Sequence, residues 1–120
     1  MDIQHTLEKF IAPTSATALA ALASIVDGHM VEVQSTAEIR DFVDVDLAAR
    51  VVATLHTLLA EADEYTARER ALLAGAVRYF VENADIDADL ASPTGFEDDA
   101  AILNAVCDFL GRPDLAVQIE

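Results

Sequence analysis

Residues 47–63 read LAARVVATLHTLLAEAD, and this stretch decides the fold class. Leu47, Val51, Leu55, Leu58 and Ala62 recur every three or four residues, which places them along one side of a 3.6-residue helix. Arg50, Thr54, Thr57 and Glu61 fall on the other side. Downstream, Thr66-Ala67-Arg68-Glu69 has the spacing of a capping box, in which the Thr side chain and the Glu side chain each satisfy a free backbone N–H. It predicts a helix to about Glu82 with Leu73, Ala76, Val77 and Phe80 inward, while the small Ala74 and Gly75 allow a neighbouring helix close approach. Thr94 and Glu97 repeat the capping spacing and open a last main helix over about 97–110, with Ile102, Leu103, Val106 and Leu110 inward. Gly111-Arg112-Pro113 ends it, and residues 113–119 add a turn.

Upstream, Ile3, Leu7, Phe10 and Ile11 share one helical face, which Pro13 closes. Thr14 or Ser15 caps a helix whose apolar side is Leu19, Leu22, Ile25 and Val26, and Asp27-Gly28 reads as its C-terminal stop. Residues 29–35, HMVEVQS, then form a connector with a short extended piece at Val31 and Val33. Ser35 to Glu38 caps a short helix through Ile39, Phe42 and Val43. The expected architecture is all-α: one domain over residues 1–120, a compact bundle of five or six helices with one long acidic loop before the last main helix.

Composition narrows the function classes. The 120 residues (12.9 kDa) are 53% hydrophobic, with 22 Asp+Glu against 7 Lys+Arg and a net charge of -15. A chain this acidic does not neutralise phosphates, so nucleic-acid binding is excluded as an expectation, and anionic lipid surfaces repel it. The N-terminal residues carry acids where a secretory signal has basic residues. The longest uncharged run, residues 10–26, is at the short limit for a membrane span and is diluted by Pro13, Thr14, Ser15, Thr17 and Ser24, so no stable membrane insertion is expected. A single Cys excludes an internal disulfide and fits a cytoplasmic protein.

Seven carboxylates lie between Glu82 and Asp99 with no Lys or Arg among them: Glu82, Asp85, Asp87, Asp89, Glu97, Asp98 and Asp99. Asp85, Asp87 and Asp89 have the first three ligand spacings of an EF-hand loop, but Leu90 stands where the turn needs Gly and Phe96 where the bidentate Glu belongs. Two readings stay open for this segment: a non-standard Ca²⁺ or Mg²⁺ site built on Asp85, Asp87 and Asp89, or acids that cap helices and decorate a solvated loop.

The pattern Tyr79-Phe80-x4-Asp85-x3-Asp89-x5-Gly95-Phe96-x-Asp98-Asp99-Ala100 resembles the core signature of the YkvA-like family, a bacterial domain of unknown function. That family has an aromatic, then Pro-x-Asp-Leu-Ile-Pro-Asp, then Gly-Tyr-x-Asp-Asp before an apolar helix. Tyr79, Asp85, Asp89, Gly95, Asp98 and Asp99 fall in its register, whereas Asn83 and Ala88 replace the prolines and Asp87 an apolar residue. The family-like segment covers about residues 66–111. Residues 23–29, ASIVDGH, resemble the Asp-Gly turn of TerB-like tellurite-resistance domains, which are helical and acidic. The resemblance implies a helical module and no reaction. In its register Asp89 or Asp98 is expected to accept hydrogen bonds from loop N–H groups or from Arg78, with Asp87 and Glu82 solvated.

Catalytic groups do not converge in the sequence. His5 is expected on the polar side of the first helix, His29 exposed after a turn, His56 half-buried beside its helix stripe and Cys107 buried and inert. There is no metal-spaced His pair, nucleophile elbow or Gly-rich phosphate loop. The expectation is therefore a protein that is not an enzyme and carries no cofactor. Three functions stand: an interaction or regulatory module binding a protein partner, a divalent-cation-binding module, and a charge mimic that inhibits a basic partner. A homodimer is compatible with all three.

Overall fold

The computed structural model describes residues 8–37, 45–82 and 95–117. They form four α-helices: α1 (Ala16–Ala37), α2 (Val45–Leu59), α3 (Ala67–Glu82) and α4 (Gly95–Phe109). Two 3-10 turns, Ala62–Glu64 and Pro113–Leu115, complete the order, and there is no strand among the described residues. The all-α class holds. The short helices read around Leu7 and Phe42, and the acidic segment after Glu82, lie wholly or mostly outside the described residues.

The stripe of α2 is buried as its period requires: Leu47, Val51, Leu55 and Leu58 are each at most 1% exposed. Each such side chain removed from water stabilises the fold by roughly 1.5–3 kcal/mol before conformational entropy is subtracted. The helix stops at Leu59, short of Asp63, and Ala62 stays in the core through the 3-10 turn that follows. Tyr65 fastens this corner, its hydroxyl donating to the Leu58 carbonyl at 2.8 Å.

Helix α3 opens with the expected capping box: the Thr66 N–H donates to Glu69 Oε1 at 2.8 Å, and the Glu69 N–H to Thr66 Oγ1 at 3.2 Å. It is buried far more fully than one stripe implies, Ala71 to Val77 being buried without a break. One cause is the segment before α1, which runs along its outer face. Arg70 donates to the Thr14 carbonyl at 2.9 Å, Arg78 to the Phe10 carbonyl at 3.2 Å, and the Phe10 ring meets Tyr79 edge-on at 5.4 Å.

Helix α4 buries Ile102, Leu103, Val106 and Cys107. It ends at Gly111 with φ +73°, a left-handed conformation that suits glycine. The Arg112 N–H returns to the Cys107 carbonyl at 2.8 Å and the Gly111 N–H to the Asp108 carbonyl at 3.2 Å, the paired bonds of a Schellman cap. The tail then folds back. Asn104 exchanges two hydrogen bonds with the Val117 backbone, at 2.6 and 2.9 Å, and Thr54 donates to the Leu115 carbonyl at 3.0 Å. The helices neighbour one another in a ring, α1 to α2, α2 to α4, α4 to α3 and α3 to α1.

Helix α1 corrects the sequence reading in three places. Asp27-Gly28 is no stop: the helix runs through it to Ala37, and residues 29–35 are helix, not a connector. The buried positions Leu19, Val26, Met30 and Val33 keep helical spacing across Gly28, so packing of one continuous face outweighs the roughly 1 kcal/mol that a mid-helix glycine costs. His29 is buried, not exposed. Ile25, assigned inward, is 49% exposed. Ser15, of the two cap candidates, accepts from the Ala18 N–H at 3.1 Å, while the Thr14 hydroxyl donates to the Ala12 carbonyl.

Candidate functional site

The family-like residues divide between described and undescribed positions. Tyr79 is buried under Phe10, in the core between α3 and the N-terminal strap. Gly95 opens α4 and Asp98 follows in its first turn. The Asp99 carboxylate is buried at 3% exposure, one turn into the same helix. Asp85, Asp87 and Asp89 lie outside the described residues, as does His5. Arg78, the expected ion-pair partner, donates to the Phe10 carbonyl. Among the described residues no three His, Cys, Asp or Glu side chains gather in a way that could hold a metal ion.

Three of the described cations, Arg70, Arg78 and Arg112, are half-buried and engaged within the chain, while Lys9, Arg50 and Arg68 are exposed. Arg70 donates to two main-chain carbonyls, Thr14 and Tyr65 at 2.9 and 2.7 Å, and Arg78 to a third. Arg112 meets Glu61 at 2.6 Å and Asp114 at 3.5 Å. Exposed carboxylates are spread over the described surface, among them Glu8, Glu32, Asp46, Asp63, Glu64 and Asp108.

Two histidines differ from expectation. His56 is exposed, and its Nε2 lies 2.7 Å from Asp27 Oδ1, joining α2 to α1 across their outer edge. Asp27 opposite His56, with Thr17 and Asp63 together at the far end, shows that α1 and α2 are antiparallel. His29 is turned into the core, its ring edge-on to Phe80 at 4.8 Å, and its Nε2 has no hydrogen-bond partner among the described residues. Burial lowers its pKa below the ordinary 6.5, partly opposed by Glu32. Burial likewise pushes the Cys107 thiol up to about 11, with Asp108 and Asp114 adding to the effect, so it stays protonated and inert as expected. Tyr65 is raised to about 12 by burial and then by Glu61.

Between α1 and the end of α2 lies an open groove of about 500 Å³. Ala20, Ala23, Leu59 and Ala60 line it, with His56 and Asp63 at the edge. Helix α1 is also the described helix long and apolar enough to cross a membrane by length and composition, over Ala16–Ser35, and only 28% of that window is buried. It nevertheless contributes the fully buried Leu19, Val26 and Val33 to the core. Its outward side carries Ile25 and the 61%-exposed Val31. The sequence reading missed this face because it ended the helix at Gly28; continuing the spacing of Val26 to Met30 and Val33 shows it.

No family model matches the chain, and no similar curated protein or solved structure was found.

Proposed function

We propose that the protein is a cytoplasmic, non-catalytic interaction module of the YkvA-like kind, and that its partner is a basic protein. The observation that supports this reading is the excess of exposed carboxylates over the exposed cations Lys9, Arg50 and Arg68 among the described residues. Arg70 and Arg78 are engaged with main-chain carbonyls, while carboxylates such as Asp63, Glu64 and Asp108 stand at the surface. With a net charge of -15, such a surface carries a field that steers a positively charged partner into contact and repels nucleic acid. The five- or six-helix count and the long acidic loop before the last main helix belong to the same reading. Cell extract passed over the immobilised protein at low salt is expected to leave proteins of high isoelectric point, released by about 0.5 M NaCl because exposed charges are screened at that strength. Retention of nucleic acid, or of neutral and acidic proteins insensitive to salt, would refute the reading.

A further inference from the structure

We infer that the groove between α1 and the end of α2 is a docking site for a basic amphipathic helix, with small apolar residues of the groove receiving its ridge and Asp27, Asp63 and Glu64 facing its Lys and Arg side chains. The inference rests on the proposed basic partner and names where that partner binds. Its lining is mainly alanine, and alanine lets a third helix approach a helix pair closely. From Ala16 to Ala23 the groove follows α1 for about 10 Å, room for about two turns of a partner helix.

Charge complementarity selects the occupant. None of the residues lining the groove is Lys or Arg. Asp63 lines it and is exposed, Glu64 follows it and is exposed, and Asp27 reaches its edge through His56. A second copy of this chain would bring the same acids against these, so self-association is disfavoured there. Residues 8–15 lie over α3, and the tail through Val117 spans α2 and α4. A smaller recess of about 150 Å³ between Leu22, Ile25, Val77 and Val81 is open, but Arg78 lines it, which disfavours a basic occupant.

The test uses a fluorescent helical peptide of about 14 residues, four turns, with leucine on one face and lysine on the other. Oligolysine of equal charge serves as the probe for charge alone, and binding is read by anisotropy at 50 mM and 300 mM NaCl. The wild-type protein is expected to bind the leucine–lysine peptide about tenfold more tightly than oligolysine, the ridge adding apolar burial to the charge term. Ala20→Phe and Ala60→Phe fill the groove from two exposed positions, one on α1 and one in the turn after α2. Each is expected to remove that advantage while leaving oligolysine binding unchanged, with the circular dichroism spectrum confirming the fold. If both folded variants bind the peptide as wild type does, the groove assignment is overturned while the basic partner stands. If neither probe binds wild type at 50 mM NaCl, the basic-partner reading falls as well. Sedimentation showing a wild-type dimer that Ala20→Phe dissociates would give the groove to a second copy and also overturn the assignment.

Discussion

Replacing His29 by leucine should make the protein less sensitive to acid, and the size of the effect follows from where this imidazole sits. The side chain is on the buried face of α1 with 6% of the residue exposed, and its Nε2 has no hydrogen-bond partner among the described residues. Burying such an atom without a partner costs about 1–3 kcal/mol. The edge-on contact with Phe80 returns about 0.5–1.5 kcal/mol, so leucine at this position should be neutral or stabilising by about 1 kcal/mol at pH 7.5. Burial lowers the folded pKa below 6.5, so the unfolded chain takes up its proton first as pH falls. The stability associated with neutral His29 is therefore complete above 6.5 and is lost as pH drops toward the folded value. At pH 5.5, protonation of the unfolded chain alone sets a ceiling of RT ln 11, about 1.4 kcal/mol. Many carboxylates also begin to titrate in acid, and both proteins share them, so the informative quantity is the stability gap between variant and wild type. Urea denaturation followed by circular dichroism at pH 7.5, 6.5 and 5.5, at fixed ionic strength, measures it. The gap should widen in favour of His29→Leu by up to that ceiling. Parallel pH profiles for the two proteins would show that His29 is not buried in its neutral form, and the placement of α1 would be wrong at its centre.

The two described glycines whose surroundings are open should respond in opposite directions. Gly28→Ala adds a methyl group that meets nothing within 4 Å in a helix interior and should stabilise by about 1 kcal/mol, whereas Gly111→Ala, at φ +73°, should destabilise by about 1 kcal/mol; thermal melts check both. Asn104→Ala removes both bonds that hold the Val117 backbone and should cost about 1–2 kcal/mol, with hydrogen exchange at Val117 rising selectively. Arg70→Met keeps much of the aliphatic stem but loses the bonds to the Thr14 and Tyr65 carbonyls; a cost of about 2 kcal/mol in urea denaturation is expected, against a negligible change for the exposed Arg68→Met.

Parts of this fold governed by neighbours along the chain are legible in the sequence. Thr66 and Glu69 are three residues apart and form their box, Gly111 supplies the left-handed cap, and the stripe from Leu47 to Ala62 is buried throughout. Asp27-Gly28 carries an equally local signal for a helix end, but Val26, Met30 and Val33 bury against other helices and hold the chain helical through it. No pairwise spacing records that competition, because the opposing energy comes from residues distant in sequence. The same limit applies to His29, whose neighbour Phe80 is on α3, and to the groove, where alanines of α1 meet the end of α2 and the turn after it. Net charge can be summed from the sequence; which cations point inward cannot, since Arg70 and Arg78 are used by carbonyls of a segment more than fifty residues earlier.

That use of arginine has a consequence for how the sequence can change over time. The guanidinium groups of Arg70 and Arg78 hold the strap over α3, while exposed acids such as Asp46, Asp63 and Glu64 carry the external charge. Selection for acidity and selection for folding therefore act on largely separate positions. Exposed carboxylates can be exchanged for neutral residues with small changes in stability, and a lineage can drift in net charge without repacking the bundle. Loss of Arg70 or Arg78 changes the total charge by one unit in fifteen but leaves main-chain carbonyls without their donors, so these two positions are expected to vary least while the acids around them turn over.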